Sequence, residues 1–377
     1  MTNPLQQLQE AGQSVWLDYI ERTMLHDGRL ARLIAHDALV GMTSNPTIFE
    51  KALAEGHAYD AQVAAAPAGL EPAELFERIE TDDVRDACDA FAGVYDRTRG
   101  ADGYVSIEVS PAQAFDAAAT VAEARRLRAA VDRPNVMVKV PGTAEGARAV
   151  RQLIAEGINV NITLLFAIDA HDRVIEAYLS GLEDRAAAGH PIDHVASVAS
   201  FFVSRVDTEV DRRLEALALE VPADRRDALL ALRGKAAIAN ARLAYRQFQS
   251  RFSGTRWDAL AARGARVQRP LWASTSTKNP AYRDVIYVES LIGPHTVNTL
   301  PPATMDAFRD HGIVARTVDT SYDEAERHLA ALNEAGIDIT AVTDVLLAEG
   351  IAAFQRSFDS LLAGLARKSA ALVAAAG

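Results

Sequence analysis

An α/β chain folded as a single (β/α)8 barrel, with a helical insertion and extra C-terminal helices, is what this sequence predicts. Short apolar, β-branched runs recur eight times along the 377 residues, and stretches of helical period separate them. Strands alternating with helices imply parallel pairing. Length is the third observation: a chain of this size can hold two or three average domains, or one barrel with insertions. An open doubly wound sheet meets the same count, because counting cannot show closure.

The strand candidates, in order, are Ser14–Leu17, Ala38–Met42, Tyr104–Val109, Val136–Val140, Ile158–Thr163, Val195–Ser200, Arg266–Ala273 and Asp284–Val288. Helical period marks Pro111–Val131, Ala144–Glu156 and Ala167–Ala188. Between the sixth and seventh strands, Asp207–Phe252 reads as helical and broken near Pro222, within an insertion over about residues 205–262. Ser204, with Asp207 three residues on, suits its N-cap with an acidic first turn. After the eighth strand, Pro301–Gly377 reads as three helices, over about residues 301–376. In the last of these Ile351, Phe354, Phe358, Leu361 and Leu365 share one apolar face. Such a face packs on the chain's own core or, less commonly, on a second copy. The Ala-rich stretch Ala61–Gly69 reads as a loop, so residues 1–377 are expected to form one domain.

Composition narrows the function classes. A net charge of −12 argues against general affinity for nucleic acid or anionic membrane. No run of ~18 uncharged apolar residues is present to span a bilayer. The lone Cys88 can form neither an intrachain disulfide nor a cysteine metal cage. Residues 1–13 lack the basic and apolar regions of an export signal, so a cytoplasmic protein is expected, and the Asn161-Ile162-Thr163 sequon reads as chance. There is no zinc-binding His-Glu-x-x-His, no dinucleotide-binding glycine loop and no P-loop, and the nine histidines are scattered. Neither a metal nor a cofactor is expected.

Strand periodicity locates the chemistry. In a barrel, alternate residues face the lumen, and active sites lie at the C-terminal strand ends. Val136, Val138 and Val140 share one face, leaving Met137 and Lys139 on the other. Likewise Glu108 shares the inward face with Tyr104 and Ser106, Thr163 with Asn159 and Asn161, and Asp18 with Ser14 and Trp16. Four strands thus aim Asp18, Glu108, Lys139 and Thr163 inward near their ends. Burying such groups without partners costs several kcal/mol each.

Lys139 matters most, since only five of the 39 basic residues are lysines. It could be paired with Glu108 or Asp18 for stability alone, but buried ion pairs often lose to hydrophobic packing. The alternative is an amine nucleophile: a desolvated lysine attacks a ketone to form a Schiff base, and carboxylates move the protons. Asp18 has a second reading as a loop or capping residue, Glu108 as a partner that only holds Lys139 charged, and Asn45 as an Asn-Pro turn residue. Ser200, Phe202 and Arg205 follow strand six, while Ser274, Thr277 and Lys278 follow strand seven, where barrels often bind phosphate.

Six ordered stretches resemble the transaldolase family over nearly the whole chain. They are Trp16-Leu17-Asp18-Tyr19-Ile20, Thr43-Ser44-Asn45-Pro46-Thr47-Ile48-Phe49, Val105 to Val109, Val138 to Thr143, Gly157 to Phe166, and Ala199 to Asp207. Length and the stretch Ala273 to Pro280 look like the longer bacterial form. The resemblance implies a TIM barrel that transfers a dihydroxyacetone unit from sedoheptulose 7-phosphate to glyceraldehyde 3-phosphate in the pentose phosphate pathway. It implies Lys139 as the Schiff-base lysine and Asp18 as the base for carbon–carbon cleavage. Glu108 and Thr163 would hold the catalytic water, Asn45 and Asn161 would bind donor hydroxyls, and Ser200 and Phe202 would line the pocket. Arg205 and Ser274 would bind phosphate. Where many relatives carry a second phosphate-binding Arg, this chain has Ser276, and Lys278 is expected to take over. The related fructose 6-phosphate aldolases are shorter and usually carry Gln where Glu108 stands. The expected partners are phosphorylated sugars, with the chain a monomer or homodimer.

Overall fold

The computed structural model describes residues 3–67 and 69–376. Eight parallel strands close into a barrel in sequence order, β1 (Gln13–Asp18), β2 (Leu39–Thr43), β3 (Tyr104–Glu108), β4 (Val136–Pro141), β5 (Val160–Leu165), β6 (Ser197–Phe202), β7 (Arg269–Ala273) and β8 (Thr296–Leu300). The last hydrogen-bonded pair, β1 with β8, excludes the open sheet.

Seven strands lie where the sequence predicts them; the eighth does not. Asp284–Val288 contains the start of a single helical turn, Ile286–Glu289. Its β-branched residues mislead because tertiary contacts outrank propensity: Val285, Tyr287 and Val288 are buried, and the Tyr287 hydroxyl donates to Asp207 at 2.9 Å. The true β8 carries Thr296, Asn298 and Thr299 among its five residues and so lacks an apolar run.

Val105 of β3 and Val136, Val138 and Val140 of β4 are fully buried. The floor of the lumen is a polar plug rather than the aliphatic filling usual in such barrels. Asp102 accepts from Ser14 Oγ at 2.7 Å, from Trp16 Nε1 at 3.1 Å and from Arg269 at 3.0 Å. Gly41 makes room for Trp16, since a Cβ there would stand 2.6 Å from the indole.

Between β6 and β7 the chain forms the helices Ser204–Leu219, Ala223–Leu230, Ala236–Arg251 and Gly254–Ala261. Ser204 is not the N-cap: Val203 holds that position, and the Ser204 hydroxyl faces Ser274 Oγ at 3.0 Å. Asp207 does lie in the first turn of Ser204–Leu219, and its carboxylate accepts from Ala237 N at 2.8 Å at the start of Ala236–Arg251. The expected loop at Ala61–Gly69 begins within a short helix, Asp60–Ala64, with Val63 buried; Ala68 lies outside the described residues. After β8 come Pro302–His311, Tyr322–Glu334 and the long Ile339–Ala376. The apolar face of the last packs on the core through Phe354, Leu361 and Leu365, with Ile351 and Phe358 half-buried against it. Among the described residues no helix is long and apolar enough to cross a membrane.

Candidate active site

The C-terminal mouth of the barrel holds a cavity of about 410 Å³. Asp18, Asn45, Lys139, Thr163, Ser200, Phe202, Arg205, Ser274 and Lys278 line it. Parallel register sets Glu108 beside Lys139 and Lys139 beside Asn161 on adjacent strands. Lys139 Nζ is ion-paired with Glu108 Oε2 at 3.1 Å and donates to the Ser44 carbonyl at 2.9 Å. Both members of the pair are buried.

Asp18 Oδ1 accepts from Thr43 Oγ1 at 2.9 Å. Burial pushes the Asp18 carboxyl above its ordinary value, against the opposing pull of Lys139 and the Thr43 hydrogen bond. Glu108 is raised for the same reason, with Lys139 again opposing. Glu80, on the helix Pro72–Arg97, is raised well above its ordinary value by burial and then by the charge of Glu108. The Thr163 hydroxyl is buried with no hydrogen-bond partner among the described residues.

Two expected contact residues have partners within the protein. Asn161 is fully buried, donating to Ser106 Oγ at 3.0 Å and accepting from Ser200 Oγ at 2.6 Å. Asn45 is an extended helix N-cap rather than a turn residue, its Oδ1 accepting from Ile48 N at 3.1 Å at the start of the helix Pro46–Glu55. It also lines the cavity.

Cations gather at the loop side of the cavity. The Arg205 guanidinium lies over the Phe202 ring, 5.3 Å from its centroid. Burial lowers the pKa of Arg205, and Asp18 and Glu349 offset this only through charge at a distance. Lys278 donates to Ser276 Oγ at 2.6 Å; burial first, then repulsion from Arg205, lowers its pKa. Ser274 adopts a left-handed φ of 55° at the end of β7, a strained conformation for a non-glycine residue of a kind that clusters at functional sites. Thr277 turns away, its hydroxyl donating to the carbonyls of Arg283 and Asp284. Sequence reasoning missed Lys51, Tyr19, Thr43 and Thr47, which also line the cavity. Lysine scarcity flags Lys51 in principle, and its helix Pro46–Glu55 leaves the mouth directly after β2, but the face of that helix turned to the cavity is set by packing.

A buried lysine between two carboxylates with raised pKa values, opening on a cavity lined with cations, suits Schiff-base chemistry on an anionic carbonyl substrate. Residues 15–365 match the family model described as Transaldolase/Fructose-6-phosphate aldolase. The chain belongs to this family. It is 50% identical over 373 residues to a Thermobifida fusca protein named Transaldolase, covering 98% of this chain and 100% of that protein. A Frankia alni protein named Transaldolase is 49% identical over 370 residues, covering 98% of each chain. Transaldolase 1 of Streptomyces coelicolor is 48% identical over 365 residues, covering 96% and 94%. The resemblance stated from sequence is borne out, and with it the barrel fold and a transferase with transaldolase activity.

Proposed function

We propose that this transaldolase-family enzyme works through a Schiff base on Lys139. It moves a dihydroxyacetone unit from sedoheptulose 7-phosphate to glyceraldehyde 3-phosphate, giving erythrose 4-phosphate and fructose 6-phosphate. The observation that carries the reading is the Lys139–Glu108 ion pair at 3.1 Å, buried beneath a cavity that Asp18 also lines. Glu108 takes a proton from the Lys139 ammonium, and the free amine attacks the donor ketone carbon. The carbinolamine loses its hydroxyl as water, with Glu108 returning the proton. Asp18 accepts the proton of the C4 hydroxyl, the C3–C4 bond breaks, and its electron pair enters the protonated imine to give an enamine. Erythrose 4-phosphate leaves. The enamine carbon then attacks the acceptor aldehyde, Asp18 returns its proton to the new hydroxyl, and water hydrolyses the imine. The unpartnered Thr163 hydroxyl and Glu108 hold that water.

Asn45, Asn161 and Ser200 orient the donor hydroxyls. Asn161 acts through Ser200 unless a substrate hydroxyl displaces one of its two partners. Arg205, Ser274 and Lys278 hold the phosphate. Phosphorylated sugars are the substrates, and we place the enzyme in the cytoplasm as a monomer or homodimer.

Borohydride trapping with fructose 6-phosphate tests the covalent step. The wild type gains the reduced three-carbon adduct, which maps to Lys139. Lys139→Met keeps similar side-chain volume and the fold, and gains none. A reducible adduct on that variant removes Lys139 from the role.

A further inference from the structure

A second cavity, of about 640 Å³, opens away from the barrel mouth, between the helices Ala236–Arg251 and Tyr322–Glu334. Its size is that of a small-molecule site. The cations Arg233, Lys235, Arg242 and Arg327 stand around it, with His328, whose pKa burial lowers, against one carboxylate, Glu324. This is a local inversion of charge on a chain of net charge −12.

Three of the cations are engaged elsewhere. Arg233 pairs with Glu215 at 2.5 Å, Lys235 donates to the Ala231 carbonyl at 3.1 Å, and Arg327 to the Asp323 carbonyl at 3.2 Å. Arg242 and His328 differ. Arg242 Nε and His328 Nε2 are buried atoms with no hydrogen-bond partner among the described residues. Burial lowers the pKa of Arg242, and Glu324 acts on it only through charge at a distance. Donors buried without partners are costly, and a cation more so. An anion between them removes that cost. Ile238 and Ile286 add apolar wall, and the remaining side is the Tyr282 ring, fixed by its hydroxyl's bond to Asp211 at 2.6 Å and by close contact with Gly234.

We propose that this cavity binds a small organic phosphate, Arg242 and His328 donating to its phosphoryl oxygens while Ile238 and Ile286 cover its carbon body. The site shares no lining residue with the barrel mouth.

Calorimetric titration tests it with pyrophosphate, glycerol 3-phosphate and ADP, none of which carries a ketone for Lys139. Pyrophosphate reads the charge alone, glycerol 3-phosphate a short carbon body, and ADP a nucleotide. At least one probe should bind the wild type and Arg205→Ala with equal affinity. The same probe should bind Arg242→Gln more weakly by about tenfold or more, as expected for loss of a charge-assisted contact. Arg327→Ala, on the exposed rim, provides a second variant should Arg242→Gln fail to fold, and it should weaken the same probe. Two results overturn the proposal: no saturable binding of any probe to the wild type, or binding lost in Arg205→Ala and unchanged in the folded cavity variants.

Discussion

Replacing Arg205 with alanine separates phosphate recognition from chemistry. Among the described residues no carboxylate contact neutralises this guanidinium; Asp18 and Glu349 act on it only at a distance, and burial already disfavours its charge. In the proposed reading, a bound phosphate supplies its missing counter-charge. Charge-assisted hydrogen bonds of that kind contribute roughly 1.5–3 kcal/mol. At about 1.4 kcal/mol per factor of ten, their loss lowers kcat/KM for fructose 6-phosphate roughly 10- to 150-fold. The stacking on Phe202, worth roughly 0.5–1 kcal/mol, is lost whichever substrate is bound and does not alter selectivity. Relief of burial and of repulsion from Lys278 offsets it, so the variant should melt close to the wild type. Donor kinetics with fructose 6-phosphate and with unphosphorylated fructose, using D-glyceraldehyde as common acceptor, read the difference directly. Fructose, which carries no phosphate for Arg205 to hold, should be affected less than about threefold. Equal losses for the two donors would refute the reasoning and remove Arg205 from the phosphate site. If Lys278 stands in where relatives place a second arginine, Lys278→Ala shows the same selectivity. The double variant then loses less than the product of the two single losses, because both cations grip one phosphate.

Glu108→Gln keeps shape and one acceptor but cannot accept the lysine proton, so transaldolase turnover should fall by roughly 10²–10⁴-fold. With fructose 6-phosphate, assayed with and without erythrose 4-phosphate as acceptor, a larger share of product should appear as free dihydroxyacetone if Glu108 withholds its proton from the enamine carbon until an aldehyde arrives; a proportional fall of transfer and release would refute that role. Asp207 provides a pH test of the fold. Burial raises its carboxyl from 3.8 to about 6, so the folded state binds the proton more tightly than the unfolded chain. Its contribution is full below about pH 4 and declines by roughly 3 kcal/mol as pH rises past 6. Asp207→Asn should remove that component from the stability–pH curve measured by urea unfolding, and an unchanged curve would show that Asp207 does not titrate there.

Much of the site was legible because strand periodicity is local. Two-residue alternation is enough to turn Lys139, Glu108, Asp18 and Thr163 away from the valine faces, whatever the rest of the chain does. The same locality explains the failures. Asp284–Val288 has the composition of a strand, but its residues are needed as a helical turn under Tyr287. Thr296–Leu300 has a strand's position without its composition. The polar plug joins Ser14, Asp102 and Arg269 from distant parts of the chain, and the turn of the helix Pro46–Glu55 that aims Lys51 at the cavity is set by its packing. Residue types and facing directions thus belonged to the sequence by itself. Closure of β1 on β8, the 3.1 Å approach of Lys139 to Glu108 and the raised carboxyls belonged to the tertiary structure. Desolvation and charge proximity depend on which distant segments exclude water from the same place, and only the folded chain settles that.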